Sequence, residues 1–256
     1  MTDRVYAVGD VHGQRALLED ALARIEGDGG RDAPVVLIGD LVDRGPDARG
    51  VVQMLMDGQA AGRPWTVVKG NHDRLFHWFM EPKSRDDPRL FAELDWLHWR
   101  LGGRATLASY GVDAAERRRR RDLHRDAAAA VPEAHLRWLE SLPLWHEVAI
   151  GGAPHLFVHA GLRPGVPLAE QAEEDLLWIR GEWEAARGPL PWRVVHGHTS
   201  LREATDMGHR INLDSGAGHG GPLTAARIEA DRALVLTSDG PEPMRVAGPE
   251  GPVPFA

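Results

Sequence analysis

The chain has 256 residues, 43% of them hydrophobic and 27% charged, proportions that are ordinary for a folded protein and exclude a disordered one. Its formal net charge of −8 gives no broad positive field, so a nucleic-acid partner bound through its phosphate backbone is not expected. The chain contains no cysteine, which excludes disulfides, thiol nucleophiles and thiolate metal sites, so any metal site must use nitrogen and oxygen ligands.

Length and hydropathy predict the domain count and the compartment. A single core stops growing near ~250 to 300 residues, so we expect one domain over residues 1–256. The sequence opens directly into an apolar strand pattern without the features of a signal peptide. Because no apolar stretch approaches the ~18 residues of a membrane span, we expect a cytoplasmic protein without a membrane partner.

Predicted strands and helices alternate in the first part of the chain. Short apolar runs predict strands at residues 4–8, 35–38 and 65–68. Apolar residues at helical spacing predict one helix that ends at Gly27 and a second helix over residues 47–56. Each of the three strands is followed by glycine and a polar residue.

The middle of the chain, residues 76–142, has a helical pattern that the pair Gly102-Gly103 interrupts. Several tryptophans are predicted to pack on the inner faces of these helices: Trp78, Trp96, Trp99 and Trp138. Strand patterns return in the second half, at residues 145–150, 155–159, 193–195, 211–213, 223–228 and 233–236. Strand–helix units followed by strand-rich sequence favour an α/β fold of two packed sheets with helices outside.

Five consecutive arginines, Arg117 to Arg121, could form a phosphate clamp or a solvated helix face. Four acidic residues lie at helical spacing around this run: Asp113, Glu116, Asp122 and Asp126. Because such neighbours form ion pairs along a helix, the solvated face is the preferred interpretation.

Polar side chains follow the predicted strands at the points where those strands end. Asp10, Asp40 and Asn71 each come after glycine, His12 lies two residues beyond Asp10, and two further histidines follow later strands. The carboxyl ends of strands in such sheets face the crevice where ligands bind. The full candidate set is Asp10, His12, Asp40, Asn71, His159 and His198.

Each member of this set has an ordinary explanation when it is considered alone. A lone aspartate at a strand end is usually a cap or a turn residue, and a lone buried histidine is usually part of the core. Six such residues after apolar strands are hard to explain as six separate caps. The set instead predicts a site for two metal ions ~3.5 to 4 Å apart, bridged by Asp40. Mixed nitrogen and oxygen ligands suit Mn, Fe or Zn better than Ca or Mg.

The chain resembles a known family through eight motifs between Arg4 and Ala217. In chain order they are GDVHG, GDLVDRG, GNHD, LESLPL, FVHAGL, LLWIRG, VVHGHT and NLDSGA. They are similar to motifs of the phosphoprotein phosphatase family within the calcineurin-like metallophosphoesterases, in its bacterial serine/threonine phosphatase branch. The resemblance implies a four-layer α/β/β/α fold, two packed mixed sheets flanked by helices, with a di-metal site at the strand ends.

The resemblance also implies a role for each site residue. It implies that Asp10, His12 and Asp40 hold one metal ion, and that the other ion is held by Asp40, Asn71, His159 and His198. It further implies that His72 is the general acid and that Asp43 orients it. By the same resemblance, Arg44 and Arg180 grip the phosphate oxygens of the substrate.

Elementary phosphate chemistry fits these implied roles. A water that bridges two metal ions is ionised near neutral pH and can attack phosphorus directly, so no serine or cysteine nucleophile is needed. Concentrated positive charge from metals and guanidinium groups offsets the repulsion between a phosphate dianion and its nucleophile. The leaving oxygen must gain a proton, which His72 can donate.

These arguments predict a metal-dependent phosphomonoester hydrolase, with manganese as the expected metal. The expected substrate is phosphoserine or phosphothreonine in a protein, or a phosphorylated small molecule. Symmetrical hydrolysis of diadenosine tetraphosphate is the alternative enzyme, and a phosphoprotein-binding module without turnover is the alternative from another class. Asp73 replaces the glutamate of the eukaryotic GNHE motif. Because aspartate is shorter, the sequence does not determine how this residue contacts the groups around the metal. His219, in the stretch GAGHGG, is interpreted as a surface-loop residue and is left outside the catalytic set.

Overall fold

A computed structural model describes residues 2–91, 94–186, 190–248 and 251–255. Two residues of the predicted helical section, 92 and 93, therefore lie outside the described part of the chain. In that described part, no helix has the length and apolar character needed to cross a membrane.

The first part of the chain alternates strands and helices, as its apolar pattern predicts. Its elements are β1 (Arg4–Val8), α1 (Arg15–Gly29), β2 (Val35–Leu37), α2 (Ala48–Ala60) and β3 (Trp65–Val67). The strands β1, β2 and β3 pair in parallel in that order. Both helices extend beyond their predicted ends, α1 by two residues and α2 by four.

The described residues of the middle section form four helices: α3 (Asn71–Met80), α4 (Gly103–Ser109), α5 (Arg120–Ala130) and α6 (Glu133–Ser141). Between α3 and α4 the described residues contain no helix, so the prediction of a helical pattern up to Gly102 is wrong for that part. Trp96 in this segment is buried and stacks on Phe76, as predicted. Trp99 has 74% of its surface exposed, so its predicted inner position is wrong.

In the second half, the described residues form two short helices and the nine remaining strands. In chain order the elements are β4 (Trp145–Ile150), β5 (Ala153–Val158), α7 (Glu173–Trp178), α8 (Gly181–Ala185), β6 (Arg193–His196), β7 (Thr205–Asp206), β8 (Arg210–Asn212), β9 (Ala225–Glu229), β10 (Ala233–Thr237), β11 (Gly240–Pro243) and β12 (Arg245–Val246). Single 3₁₀ turns occupy Leu168–Glu170 and Ala217–His219.

The strands form two six-stranded sheets that pack face to face. One sheet has the order β11-β10-β9-β1-β2-β3 and the other the order β12-β7-β8-β6-β5-β4. Alternate residues of β1 face opposite sides, because successive side chains of a strand do so. Val5 and Ala7 join the core between the sheets, whereas Tyr6 and Val8 pack with helices α1 and α2. A third apolar cluster packs α7 and α8 on the outer face of the second sheet, so the predicted four-layer α/β/β/α fold is confirmed.

Three strands, β7, β11 and β12, have no strand prediction in the sequence. β7 and β12 have two residues each, too few for an alternating pattern. β11 reads Gly-Pro-Glu-Pro and lies at the edge of its sheet. Proline is tolerated on an edge strand but is evidence against a strand when only the sequence is available.

The five-arginine run is not one solvated helix face, because α5 begins only at Arg120. Nearby acids do pair with the run, as expected, and Arg118 lies 2.5 Å from Asp126. Arg120 differs from the others, since it reaches Asp86 at 2.7 Å and Ser84 at 2.8 Å in the segment before α4. That arginine therefore joins α5 to a neighbouring segment rather than facing only solvent.

Candidate active site

The candidate ligands meet where the carboxyl ends of both sheets adjoin. Asp10, Asp40 and Asn71 follow the parallel strands β1, β2 and β3, so their side chains come to one edge of the first sheet. His159 and His198 follow β5 and β6, which are also parallel, at the corresponding edge of the second sheet. All six predicted ligands are buried together at this junction.

Glycines allow the loops after these strands to touch through their backbones. A Cβ atom at Gly39 would lie 2.6 Å from the backbone nitrogen of Gly70. A Cβ atom at Gly70 would overlap the backbone nitrogen of Asp40, and one at Gly45 would overlap the carbonyl oxygen of His12. The glycines in GDVHG, GDLVDRG and GNHD thus permit the close approach that brings the polar side chains together.

Backbone strain is concentrated at the site. Among described non-glycine residues, those with positive φ are His12 (47°), Asp40 (47°), Asp43 (73°), Arg44 (66°) and His198 (65°). Each such conformation costs about 1 to 3 kcal/mol and persists only when the surrounding structure holds it. Strain of this kind is frequent at functional sites.

Asp40 lies between two groups of imidazoles. Its Oδ2 atom is 3.6 Å from His12 Nε2, and its Oδ1 atom is 3.4 Å from His159 Nε2. Oδ1 also accepts a hydrogen bond from the backbone N–H of His72 at 2.9 Å, which fixes the carboxylate. The ligand atoms of two groups lie within 4.8 Å of one another, namely His12, Asp40 and His72 in one group, and Asp40, His159 and His198 in the other.

Hydrogen bonds to backbone carbonyls orient the two imidazoles that face Asp40. The Nδ1 atom of His12 lies 3.0 Å from the carbonyl oxygen of Val42, and Nδ1 of His159 lies 2.9 Å from that of Ile38. Each Nδ1–H therefore donates outward, and each Nε2 keeps its lone pair toward the site. Asn71 Oδ1 lies 2.9 Å from the same Nε2 of His159.

The surroundings of Asp10 indicate whether these residues could bind a cation. Its Oδ2 atom accepts from the backbone N–H of His198 at 3.1 Å, whereas its buried Oδ1 atom has no hydrogen-bond partner among the described residues. Burial, followed by the charges of Asp214 and Asp40, raises the pKa of Asp10 well above its usual value. A cation would satisfy the unpaired oxygen and offset the crowded negative charge.

Two histidines of the site, His12 and His198, are in the neutral form that binds metals. Burial lowers the pKa of His12 and of His198 well below the usual value, and neighbouring guanidinium groups lower both further. Neutral imidazoles, carboxylates and an amide oxygen together are a donor set that fits divalent Mn, Fe or Zn. The residues present therefore fit the predicted metal ions.

His72 and Asp43 form a buried pair beside this cluster. His72 Nδ1 lies 2.6 Å from Asp43 Oδ2, so the imidazole donates to the carboxylate. Burial lowers the pKa of His72 to about 3 and raises the pKa of Asp43 to about 7. The nearby carboxylate of Asp40 acts against the first shift, and hydrogen bonds from Thr106 and Trp96 act against the second.

Two residues of the middle section hold Asp43, and the sequence analysis missed both. The Thr106 hydroxyl donates to Asp43 Oδ1 at 2.6 Å and accepts from the Asp43 backbone N–H at 2.8 Å. Trp96 Nε1 donates to Asp43 Oδ2 at 2.8 Å. Their separation from Asp43 along the chain, 63 and 53 residues, leaves no local sequence signal. The only indication is that a buried tryptophan needs an acceptor for its N–H.

Both predicted phosphate-binding arginines lie at the same cavity of about 370 Å³. Arg44 places one Nη atom 2.7 Å from His12 Nε2 and the other 3.2 Å from His72 Nε2. Arg180 donates from Nε to His198 Nε2 at 3.1 Å. The guanidinium groups therefore contact the imidazoles of both halves of the site.

Two residues that the sequence left open have definite positions. Asp73 accepts from the backbone N–H groups of Leu41 at 2.9 Å and Gly70 at 2.8 Å, so it ties two site loops together. His219 is exposed, as expected for a surface loop, and it also lines the cavity. Trp178 lines the cavity as well, with its Nε1–H directed to the buried Asp87 at 3.1 Å.

Comparisons with known proteins agree on one family. The family described as calcineurin-like phosphoesterase matches residues 3–232. Serine/threonine-protein phosphatase 1 of Salmonella typhimurium is 29% identical over 88% of this chain and 92% of its own length. A symmetrical bis(5'-nucleosyl)-tetraphosphatase of Bordetella pertussis is 32% identical over 86% of this chain and 69% of its own length.

A solved structure shares the whole architecture. A crystal structure provisionally named a diadenosine tetraphosphatase has a TM-score of 0.62 and 26% identity, over 94% of this chain and 95% of that one. The family match covers most of the chain, including every motif of the predicted resemblance, so that resemblance is confirmed. Strand order, ligand cluster and sequence match thus lead to one conclusion: the chain belongs to the calcineurin-like phosphoesterases and is a hydrolase of that family.

Proposed function

We propose that the protein is a metal-dependent phosphomonoester hydrolase that acts on phosphoserine or phosphothreonine in proteins. The observation that carries this proposal is the position of Asp40, whose two carboxylate oxygens face two different imidazole groups. A bridging carboxylate of this kind suits a pair of divalent ions. The similarity to a bacterial serine/threonine phosphatase supports the choice of substrate.

Each metal position has its own ligands in this proposal. Asp10, His12 and Asp40 hold one ion, and the other ion is held by Asp40, Asn71, His159 and His198. When bound, two divalent ions, with manganese as the proposed pair, act as Lewis acids and provide a water ionised near neutral pH. Without them, Asp10 Oδ1 lacks a partner, and the buried carboxylates repel one another.

The two arginines bind and orient the phosphate group of the substrate. Arg44 and Arg180 are far apart in the sequence, but both side chains line the cavity. Each guanidinium group donates to an imidazole of the site. A phosphate dianion offers these forked donors stronger, charge-assisted hydrogen bonds than a neutral imidazole does. The substrate would therefore draw both guanidinium groups from the imidazoles to its own oxygens.

His72 donates the proton that the leaving oxygen requires. Its Nδ1 atom is held by Asp43, so Nε2 faces the cavity together with the guanidinium of Arg44. The negative charge of a bound phosphate, added to that of Asp43, favours the protonated imidazole against the effect of burial. Proton donation from Nε2 then stabilises the departing alkoxide.

Diadenosine tetraphosphate is the second candidate substrate, because relatives with that activity in their names match this chain. Its long polyphosphate needs cations beyond the reaction centre. Among the described residues that line the cavity, the cationic side chains are Arg44 and Arg180, and no lysine is present. Arg118 and Arg120 of the arginine run already pair with acids, so the phosphoprotein substrate is preferred.

Initial rates separate the two substrates. With Mn²⁺ added, the protein is expected to hydrolyse a phosphoserine or phosphothreonine peptide with a higher kcat/KM than diadenosine tetraphosphate, measured side by side in one preparation. Replacing the three exposed arginines of the run, Arg117, Arg119 and Arg121, by glutamine is expected to change the peptide kcat/KM by less than about threefold, since exposed ion pairs are worth little. A higher kcat/KM for diadenosine tetraphosphate that falls when these arginines are replaced would establish the second candidate instead.

Asp40→Asn tests the bridging carboxylate. Because both metal positions use this side chain, the variant is expected to lose bound metal and activity together, each by at least about tenfold. Elemental analysis of the purified variant, alongside phosphatase rates, measures both. The matched control is Asp32→Asn, an exposed aspartate in the loop before β2, which should change neither quantity. Full metal occupancy in Asp40→Asn would show that Asp40 does not bridge.

His72→Asn separates the proton donor from the ligands. The variant is expected to keep its metal content and to turn over an alkyl phosphate about 10² to 10⁴ times more slowly. The loss should be smaller for aryl phosphates with acidic phenol leaving groups, which depart without a proton. Equal losses on alkyl and aryl substrates would rule out His72 as the acid.

Trp96→Phe tests how Asp43 is held. The change removes one hydrogen bond to the carboxylate but keeps an aromatic ring stacked near Phe76, so turnover of an alkyl phosphate should fall about tenfold at constant metal content. Trp138→Phe is the control, because it loses a comparable 2.8 Å indole hydrogen bond, to Gln59, away from the site. If both variants lose the same fraction of activity, the effect of Trp96 is one of general stability rather than of Asp43.

A further inference from the structure

One wall of the active-site cavity comes from the segment 252–255, far along the chain from every predicted site residue. Pro254 and Phe255 line the cavity together with His12, Asp40 and His72. The family match ends at residue 232, so this segment lies outside the part of the chain that the family describes. None of the eight sequence motifs includes it.

Backbone hydrogen bonds attach the segment 252–255 to the loop after β6. The N–H of Phe255 donates to the carbonyl of Ser200 at 2.9 Å, and the N–H of Arg202 donates to the carbonyl of Val253 at 2.9 Å. Leu201 and Pro254 form an antiparallel bridge between these two bonds. The loop begins directly after His198, so the segment is tied to a stretch that carries a candidate metal ligand.

The ring of Phe255 packs closely against two glycines, Gly216 and Gly221. A Cβ atom at Gly221 would lie 2.7 Å from the ring, and one at Gly216 would overlap it. His219, from the same turn, packs against the ring with centroids 5.8 Å apart and an angle of 31° between the planes. The ring therefore has a defined position beside the His219 imidazole.

The cavity is larger than a phosphoseryl side chain needs, and part of its mostly polar lining is apolar. Leu101, Trp178 and Phe255 come from three distant parts of the chain and all line it. Its volume of about 370 Å³ corresponds to about a dozen water molecules at roughly 30 Å³ each. A phosphotyrosyl side chain has twice as many non-hydrogen atoms as a phosphoseryl one, and its added part is a flat apolar ring.

We propose that Phe255 is a specificity-determining residue whose ring packs against the leaving group of aryl phosphate monoesters, phosphotyrosyl side chains among them. The inference rests on the phosphomonoesterase function proposed above. Offset or edge-to-face contact between two rings strengthens binding by about twofold to tenfold beyond the effect of the area that it buries. A seryl or threonyl leaving group has no ring and makes no such contact.

Two phosphopeptides of identical sequence, one with phosphotyrosine and one with phosphoserine, test this inference. In Phe255→Ala, kcat/KM for the phosphotyrosine peptide is expected to fall about fivefold to tenfold, mainly through KM, because a ring contact is lost. The phosphoserine peptide should change by less than about twofold and so reports that the variant remains folded. Phe255→Tyr keeps a flat ring and should retain most of the activity on phosphotyrosine.

A second substitution at Phe255 and a control substitution elsewhere distinguish loss of the ring contact from loss of folding. Phe255→Leu keeps apolar bulk without a flat ring, so it shows the same selective loss even if the alanine variant does not fold. Phe91→Ala is the control, since Phe91 is 81% exposed and outside the cavity lining, and it should change neither rate.

The outcomes separate the two proposals. Equal losses on both peptides, unchanged rates in Phe255→Ala and Phe255→Leu, or a parent protein that cleaves phosphoserine but not phosphotyrosine would each overturn the role of Phe255. A parent protein inactive on both peptides, yet active on diadenosine tetraphosphate, would overturn the proposed function and this inference with it.

Discussion

Backbone contact between the loops that follow the parallel strands is the constraint on which the site depends. Gly39 and Gly70 touch across the ends of β2 and β3, and a Cβ atom at Gly9 would overlap the carbonyl oxygen of Leu213 in the second sheet. Side chains at these glycines would separate the strand ends and, with them, the ligands from the two sheets. The chemistry of the cluster therefore follows from how closely two sheet edges can meet.

The middle helical section contributes to the candidate active site as well as to the outer layer of the fold. Its contribution is indirect: Thr106 and Trp96 each donate a hydrogen bond to the Asp43 carboxylate, Thr106 also accepts one from the Asp43 backbone N–H, and Asp43 holds His72. The two donated bonds also satisfy a fully buried carboxylate, which would otherwise be costly to keep in the core. Trp96 stacks on Phe76 and also bonds Asp43, so packing in this section influences the orientation of the His72 imidazole.

Local patterns explain what was predictable from the sequence. Apolar runs of three to six residues marked nine strands, and polar residues shortly after those runs marked the six candidate ligands, because strand direction sets where those side chains go. Long-range contacts explain what was not predictable. Nothing near Phe255 in the sequence indicates that it reaches the cavity, since the glycines against which its ring packs lie in a turn more than thirty residues earlier. Trp99 was assigned to the core by its residue type, yet the segment that carries it forms no regular face.

The five strained residues have a consequence for attempts to make the protein more robust. At a position with positive φ, glycine relieves steric strain, so an energy-based search for heat-resistant variants would favour replacing side chains there. In the part of the chain that the structure describes, those positions are His12, Asp40, Asp43, Arg44 and His198. The substitutions that the backbone prefers are thus the ones that remove the side chains of the candidate site, so resistance to heat competes with the proposed catalysis at the same five residues.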